Sequence, residues 1–174
     1  MVVQELFIQF FVAVLKILGA IVLSIGALYT GIKMLDSLTQ GIDEWKEIKK
    51  GNLAVGILYT AVIVSLIVLI APRIDQFVSF IQPALPLQTT VVLLLLAFLN
   101  YLLDLLLSIV IIYLTINLIN KLTVDLDEMM ELKKGNVAVA LIMSAILLSV
   151  AFVSRFSLDY TFNIINALES LILG

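Results

Sequence analysis

Residues 43–55 read DEWKEIKKGNLAV, and residues 127–139 read DEMMELKKGNVAV. Gly51 maps onto Gly135, an offset of 84 residues (135 − 51). The register holds on both sides. Asp43, Glu44 and Glu47 return as Asp127, Glu128 and Glu131, and Ala61 and Ser65 return as Ala145 and Ser149. A motif of this length at fixed offset marks an internal duplication. Each copy lies where a charged segment gives way to a long apolar run. The chain therefore divides into two tandem two-helix repeats. The first is residues 1–84, with spans at about 9–32 and 52–71; the second is residues 85–174, with spans at about 88–118 and 136–153 and a C-terminal amphipathic segment.

Composition names the solvent. Of 174 residues, 63% are hydrophobic and 13% charged, and the mean hydropathy is +1.21. Soluble domains carry roughly 25% charge, and here the charge is confined to short segments between apolar runs long enough to cross a bilayer. The expected fold is an all-α integral membrane protein. Its four transmembrane helices form two tandem two-helix repeats in parallel orientation, with short amphipathic surface helices. A net charge of −3 gives no basic surface for nucleic acid. With no Cys and no His, thiolate nucleophiles, disulfides and the usual zinc sites are excluded.

The motif itself reads as a helix junction. Lys49 and Lys50, like Lys133 and Lys134, suit the negative end of a short surface helix. Gly51 and Gly135 supply the open backbone that ends it. Asn52 and Asn136 can cap the amides of the next helix. Upstream, Leu35, Leu38, Ile42 and Trp45 fall at helical spacing and recur as Ile119, Leu122, Leu126 and Met129, which suggests an amphipathic surface helix. It starts at Asp43 if Gly41 interrupts it. Downstream, Ala54, Ala61 and Ser65 share one helix face, with Gly56 and Thr60 nearby; Ala138, Ala145, Ser149, Ala140 and Ser144 correspond. Small faces let helix backbones approach in lipid. Either the two motif-bearing helices meet near a pseudo-two-fold axis, or each meets its own partner. Pro72-Arg73 is expected to close the second span and Ser154-Arg155 the fourth. Residues 74–86 and the tail 159–173 read as interfacial segments.

Lysines concentrate in the motif-bearing connections: Lys33, Lys46, Lys49 and Lys50 in one, Lys121, Lys133 and Lys134 in the other. The positive-inside tendency then puts those loops in the cytoplasm and both termini outside, in a multi-pass protein of the cell membrane.

The approach D-E-x-x-E, the K-K-G-N-x-A-V stretch and the small-residue helix after it resemble the membrane protein family known as domain of unknown function 350, here in two tandem copies. The resemblance covers nearly the whole chain. It implies an integral membrane protein and transfers no catalytic, cofactor or metal-binding residues.

Chemistry-bearing residues inside the spans are few. Asp104 sits mid-span, where a carboxylate costs roughly 2.5–3.5 kcal/mol on insertion scales. Lys16 and Asn100 occupy equivalent repeat positions, and Asn100 and Asp104 lie one turn apart on one face. Lys16, Asn100 and Asp104 are therefore expected to form an intramembrane polar cluster, with Lys16 and Asp104 as ion-pair partners. No phosphate-cradling loop, carboxylate pair in a pocket or activated nucleophile is present, so the chain is expected not to be an enzyme and to need no cofactor. Two functions fit: a structural or interaction module that associates through small-residue faces with copies of itself or another membrane protein, or an oligomeric channel or transporter for a small ion or solute.

Overall fold

A computed structural model describes residues 2–38, 43–122, 127–161 and 170. Among these residues six helices follow in order: α1 (Val2–Leu38), α2 (Glu44–Lys49), α3 (Leu53–Ser79), α4 (Leu87–Leu122), α5 (Glu128–Lys133) and α6 (Val137–Thr161). The long ones, α1, α3, α4 and α6, are each long and apolar enough to cross a membrane. At ~1.5 Å per residue, the 27 residues of α3 exceed the ~30 Å hydrocarbon layer. The fold is thus that of an all-α, multi-pass membrane protein, consistent with two tandem helix pairs.

The junctions form as the motif dictates. Asp43 accepts from the Lys46 amide at 3.0 Å and opens α2; Asp127 accepts from Met130 at 3.0 Å and opens α5. Both short helices end on a glycine with φ of 82°. The Gly51 amide donates to the Ile48 carbonyl at 2.9 Å, and the Asn52 amide donates to Glu47 at 3.0 Å. These are the two bonds of a Schellman ending, whose αL position costs a glycine nothing. Gly135 to Leu132 and Asn136 to Glu131 repeat them at 3.0 and 2.9 Å. The chain then turns at once into α3 or α6. Asn52 Oδ1 accepts from the amides of Ala54 and Val55, and Asn136 Oδ1 from that of Val139.

Helix α3 is central: it packs on α1, α4 and α6, most extensively on α6. Leu66, Leu69 and Ile70 of α3, Tyr101, Ile109 and Ile112 of α4, and Leu147 and Ala151 of α6 make the core. Against α1 the approach is close, since a Cβ on Gly31 would collide with Leu66. On the motif side, Trp45 meets Tyr59 edge-on at 5.5 Å and docks α2 on α3. Helix α1 is peripheral. Its most apolar 18-residue stretch contains no buried residue, against 44% in α3 and in α4. Phe7, Phe10 and Phe11 stand exposed there, as lipid-facing residues do.

The helices depart from the expected limits in one direction: they are longer. Helix α3 does not stop at Pro72-Arg73 but runs on to Ser79, taking up residues 74–79 of the expected interfacial segment. Proline removes one backbone donor, and neighbouring helices make that tolerable inside a membrane bundle. Likewise α6 passes Ser154-Arg155 to Thr161, and α1 exceeds 9–32 at both ends. The surface helices are correspondingly short. Leu35 and Leu38 belong to α1, and Ile119 and Leu122 to α4. Ile42, Leu126 and most of the tail 159–173 lie outside the described residues.

The small faces do not behave alike. Ala54, Ala61 and Ser65 are buried, whereas Ala138, Ala145 and Ser149 are exposed; in α6 it is Ala140 and Ser144 that are covered. Helices α3 and α6 do meet, but they present different faces to their surroundings.

Candidate functional site

The buried polar centre is an ion pair between α3 and α4. Arg73 follows Pro72 and is 8% exposed; Asp104 is 1% exposed. The Arg73 Nε donates to Asp104 Oδ2. Its Nη2 donates to the Leu158 carbonyl on α6 at 3.1 Å, and its Nη1 to Gln76 Oε1 at 3.2 Å. One guanidinium therefore joins three of the four spanning helices. Its planar fork of donors permits this; a lysine ammonium has fewer donors and no fixed plane. Around the pair, Ser108 Oγ donates to the Asp104 carbonyl at 2.6 Å, and Tyr101 OH donates to the Leu23 carbonyl at 2.8 Å, which brings in α1.

Of the expected cluster, the structure brings together Asn100 and Asp104. Both are 1% exposed on the same face of α4, and the Asn100 Nδ2 has no hydrogen-bond partner among the described residues. Lys16 is not with them. It is half-buried on α1, and no ion pair joins it to a described carboxylate. The expected Lys16–Asp104 pair is thus replaced by Arg73–Asp104. The cause is the continuation of α3 through Pro72: Arg73, read as a residue of the water boundary, is carried into the bundle, and α3 lies against α4 more extensively than α1 does. No local signal in the sequence marks Arg73 for this role, since the Pro72 beside it reads as a helix end and its partner Asp104 is 31 positions away.

The motif residues form a second polar centre at the helix junctions. Lys50 Nζ lies 2.6 Å from Glu47 Oε1, and Lys134 Nζ lies 2.8 Å from Glu131 Oε1. Asn136 Nδ2 donates to its own Glu131 at 2.8 Å. Asn52 Nδ2 does more: besides Glu47 at 3.3 Å, it reaches the carbonyls of Leu132 at 2.9 Å and Lys133 at 3.3 Å. The two junctions therefore touch. The hydrogen bond from Lys50, then that from the Asn52 amide, hold the Glu47 carboxyl below its usual value. For Glu131 the Asn136 amide leads and Lys134 follows. Lys49 and Lys133 are exposed. Among the described residues, no three carboxylates converge as a metal site would require.

A bundle of four helices long and apolar enough to cross a membrane, with an ion pair buried between two of them and its repeats joined at one set of turns, is a multi-pass helical membrane protein. The chain matches the family described as Domain of Unknown Function (DUF350) over residues 6–107 and again over residues 92–174. It belongs to that family and contains the domain twice. No curated protein and no solved structure matches it.

Proposed function

We propose that the protein is a non-enzymatic structural or interaction module of the cell membrane, whose buried polar groups hold the bundle together rather than carry a solute. The observation that carries this reading is the Arg73 guanidinium, bonded at once to α3, α4 and α6. A transport carboxylate must exchange partners, whereas this one is held by a charge itself fixed at two further points. The two repeats run in the same direction across the bilayer, a reading supported by the Asn52 bond to the other junction. The junctions face the cytoplasm. With Arg73 withdrawn into the bundle, the far side keeps Arg155 as its remaining arginine, which sharpens the lysine bias toward the junctions. Impermeant maleimide on intact cells should label Q82C and spare K133C; the opposite pattern reverses the orientation.

One observation favours the transport reading as runner-up. Asn100, Asp104, Ser108 and Thr115 are all buried along α4, a polar line through an apolar bundle. Cation flux into reconstituted vesicles separates the two. The structural reading expects no flux above empty vesicles from either wild type or D104N. A wild-type flux abolished by D104N would favour transport.

A further inference from the structure

We infer that copies of this chain assemble head to tail in the membrane, with α6 of one copy seated against α1 of the next as α3 is seated against α4 within the chain. The inference deepens the interaction-module reading and rests on it. The 84-residue register maps α1 onto α4 and α3 onto α6. The α3–α4 contact joins the first repeat to the second. Carried forward by one repeat, it becomes a contact between α6 and the α1 of a following repeat, and among the described residues no comparable α1–α6 packing exists within the chain.

Burial marks the missing neighbour on both sides. On α4, Ala97, Tyr101, Leu105 and Ile109 are 2–6% exposed; their counterparts on α1, Ala13, Ile17, Ile21 and Ile25, are all exposed. On α3, Ala61, Ser65 and Leu69 are buried, while Ala145, Ser149 and Val153 of α6 are exposed. A closed two-fold between the repeats would bury equivalent residues equally. The inequality means that the inter-repeat contact is heterologous, and such a contact continues from unit to unit until it closes in a ring. The junctions give an independent sign. Asn52 reaches the carbonyls of Leu132 and Lys133 in the second repeat, but the side-chain amide of Asn136, its equivalent, bonds only its own Glu131 among the described residues. On a following copy, the matching acceptors are the carbonyls of Ile48 and Lys49. The inter-copy contact lacks one intrachain feature, since Arg73 and Asp104 map onto Ser157 and Ala20. It is therefore the weaker of the two.

Cysteine cross-linking in native membranes tests this, because the chain has no cysteine of its own. The pair N52C/K133C, which reports the intrachain contact, should react within one chain with a short bis-maleimide. K49C and N136C, placed on separate co-expressed chains, should link to each other, and neither should link to itself. S149W should abolish that product, whereas F152W, on a lipid-facing residue of the same helix, should leave it. A reacting N52C/K133C with no K49C–N136C product overturns the inference and leaves the bundle reading intact. Self-linking of K49C or N136C alone overturns it in favour of a two-fold contact. If all cysteine pairs fail to react, the size of the S149W and wild-type particles in lipid nanodiscs decides: equal size overturns the inference, and a smaller S149W particle supports it.

Discussion

Arg73 and Gly51 show how differently single residues declare themselves. Gly51 was legible because its sequence neighbours are its structural neighbours: the carbonyls that need capping lie within the preceding turn, and the repeat states the requirement twice. Arg73 was not, because its partners are Asp104, 31 positions away, and Leu158, 85 positions away. Local pattern beside Pro72 pointed to a helix end instead. Two expectations follow at this scale. G51V and G135V each place a β-branched side chain at φ of 82°, which should cost upward of about 1–2 kcal/mol and lower the melting temperature in detergent. G56A should be neutral or slightly stabilising, since nothing lies within 4 Å of the added Cβ and Ala140 already holds the equivalent place. K16M is the complementary case. Lys16 has no ion pair to lose among the described residues, so this variant should melt within about 0.5 kcal/mol of wild type, as substitutions away from such features do. A loss as large as that of an Asp104 variant would restore Lys16 as its partner.

At the scale of elements, the junction between surface and spanning helix is the most determined part of the chain. Capping aspartate, Schellman glycine and capping asparagine follow one another within ten residues, Asp43 to Asn52, so local chemistry alone suffices to place the turn. The spans were harder to delimit. In lipid, apolar composition reports that a helix crosses but not where it ends, and α3 and α6 both outrun their proline or arginine boundary. The junctions should also respond to acid. Glu47 and Glu131 have folded-state pKa values below the ordinary 4.5. Their contribution to stability is therefore complete above pH 4.5 and lost as the pH falls through the lower folded values. Hydrogen exchange at the first amides of α3 and α6 should quicken as pH falls below that point, after correction for the intrinsic rate. E47Q/E131Q should remove the transition; if it persists unchanged, another group controls the junction.

Across the whole molecule, the duplication predicts four long apolar helices and leaves open whether α3 and α6 meet each other or separate partners; it does not predict the unequal surroundings of the two halves. Sequence equivalence says which residues match; it does not say how many neighbours each copy has. Among the described residues, helix α3 has three long partners, and α6 lacks the one that α4 provides to α3. The same inequality lets a unique ion pair sit in the centre, with no counterpart at Ser157 and Ala20. That pair carries the central claim, that the buried charges hold the bundle. The direct measurement is a double-mutant cycle on Arg73 and Asp104, read as unfolding free energy in detergent or nanodiscs. R73M and D104L should each cost about 3–5 kcal/mol by stranding a buried charge, and R73M/D104L should recover most of that loss. Additive losses in the double variant would contradict the account.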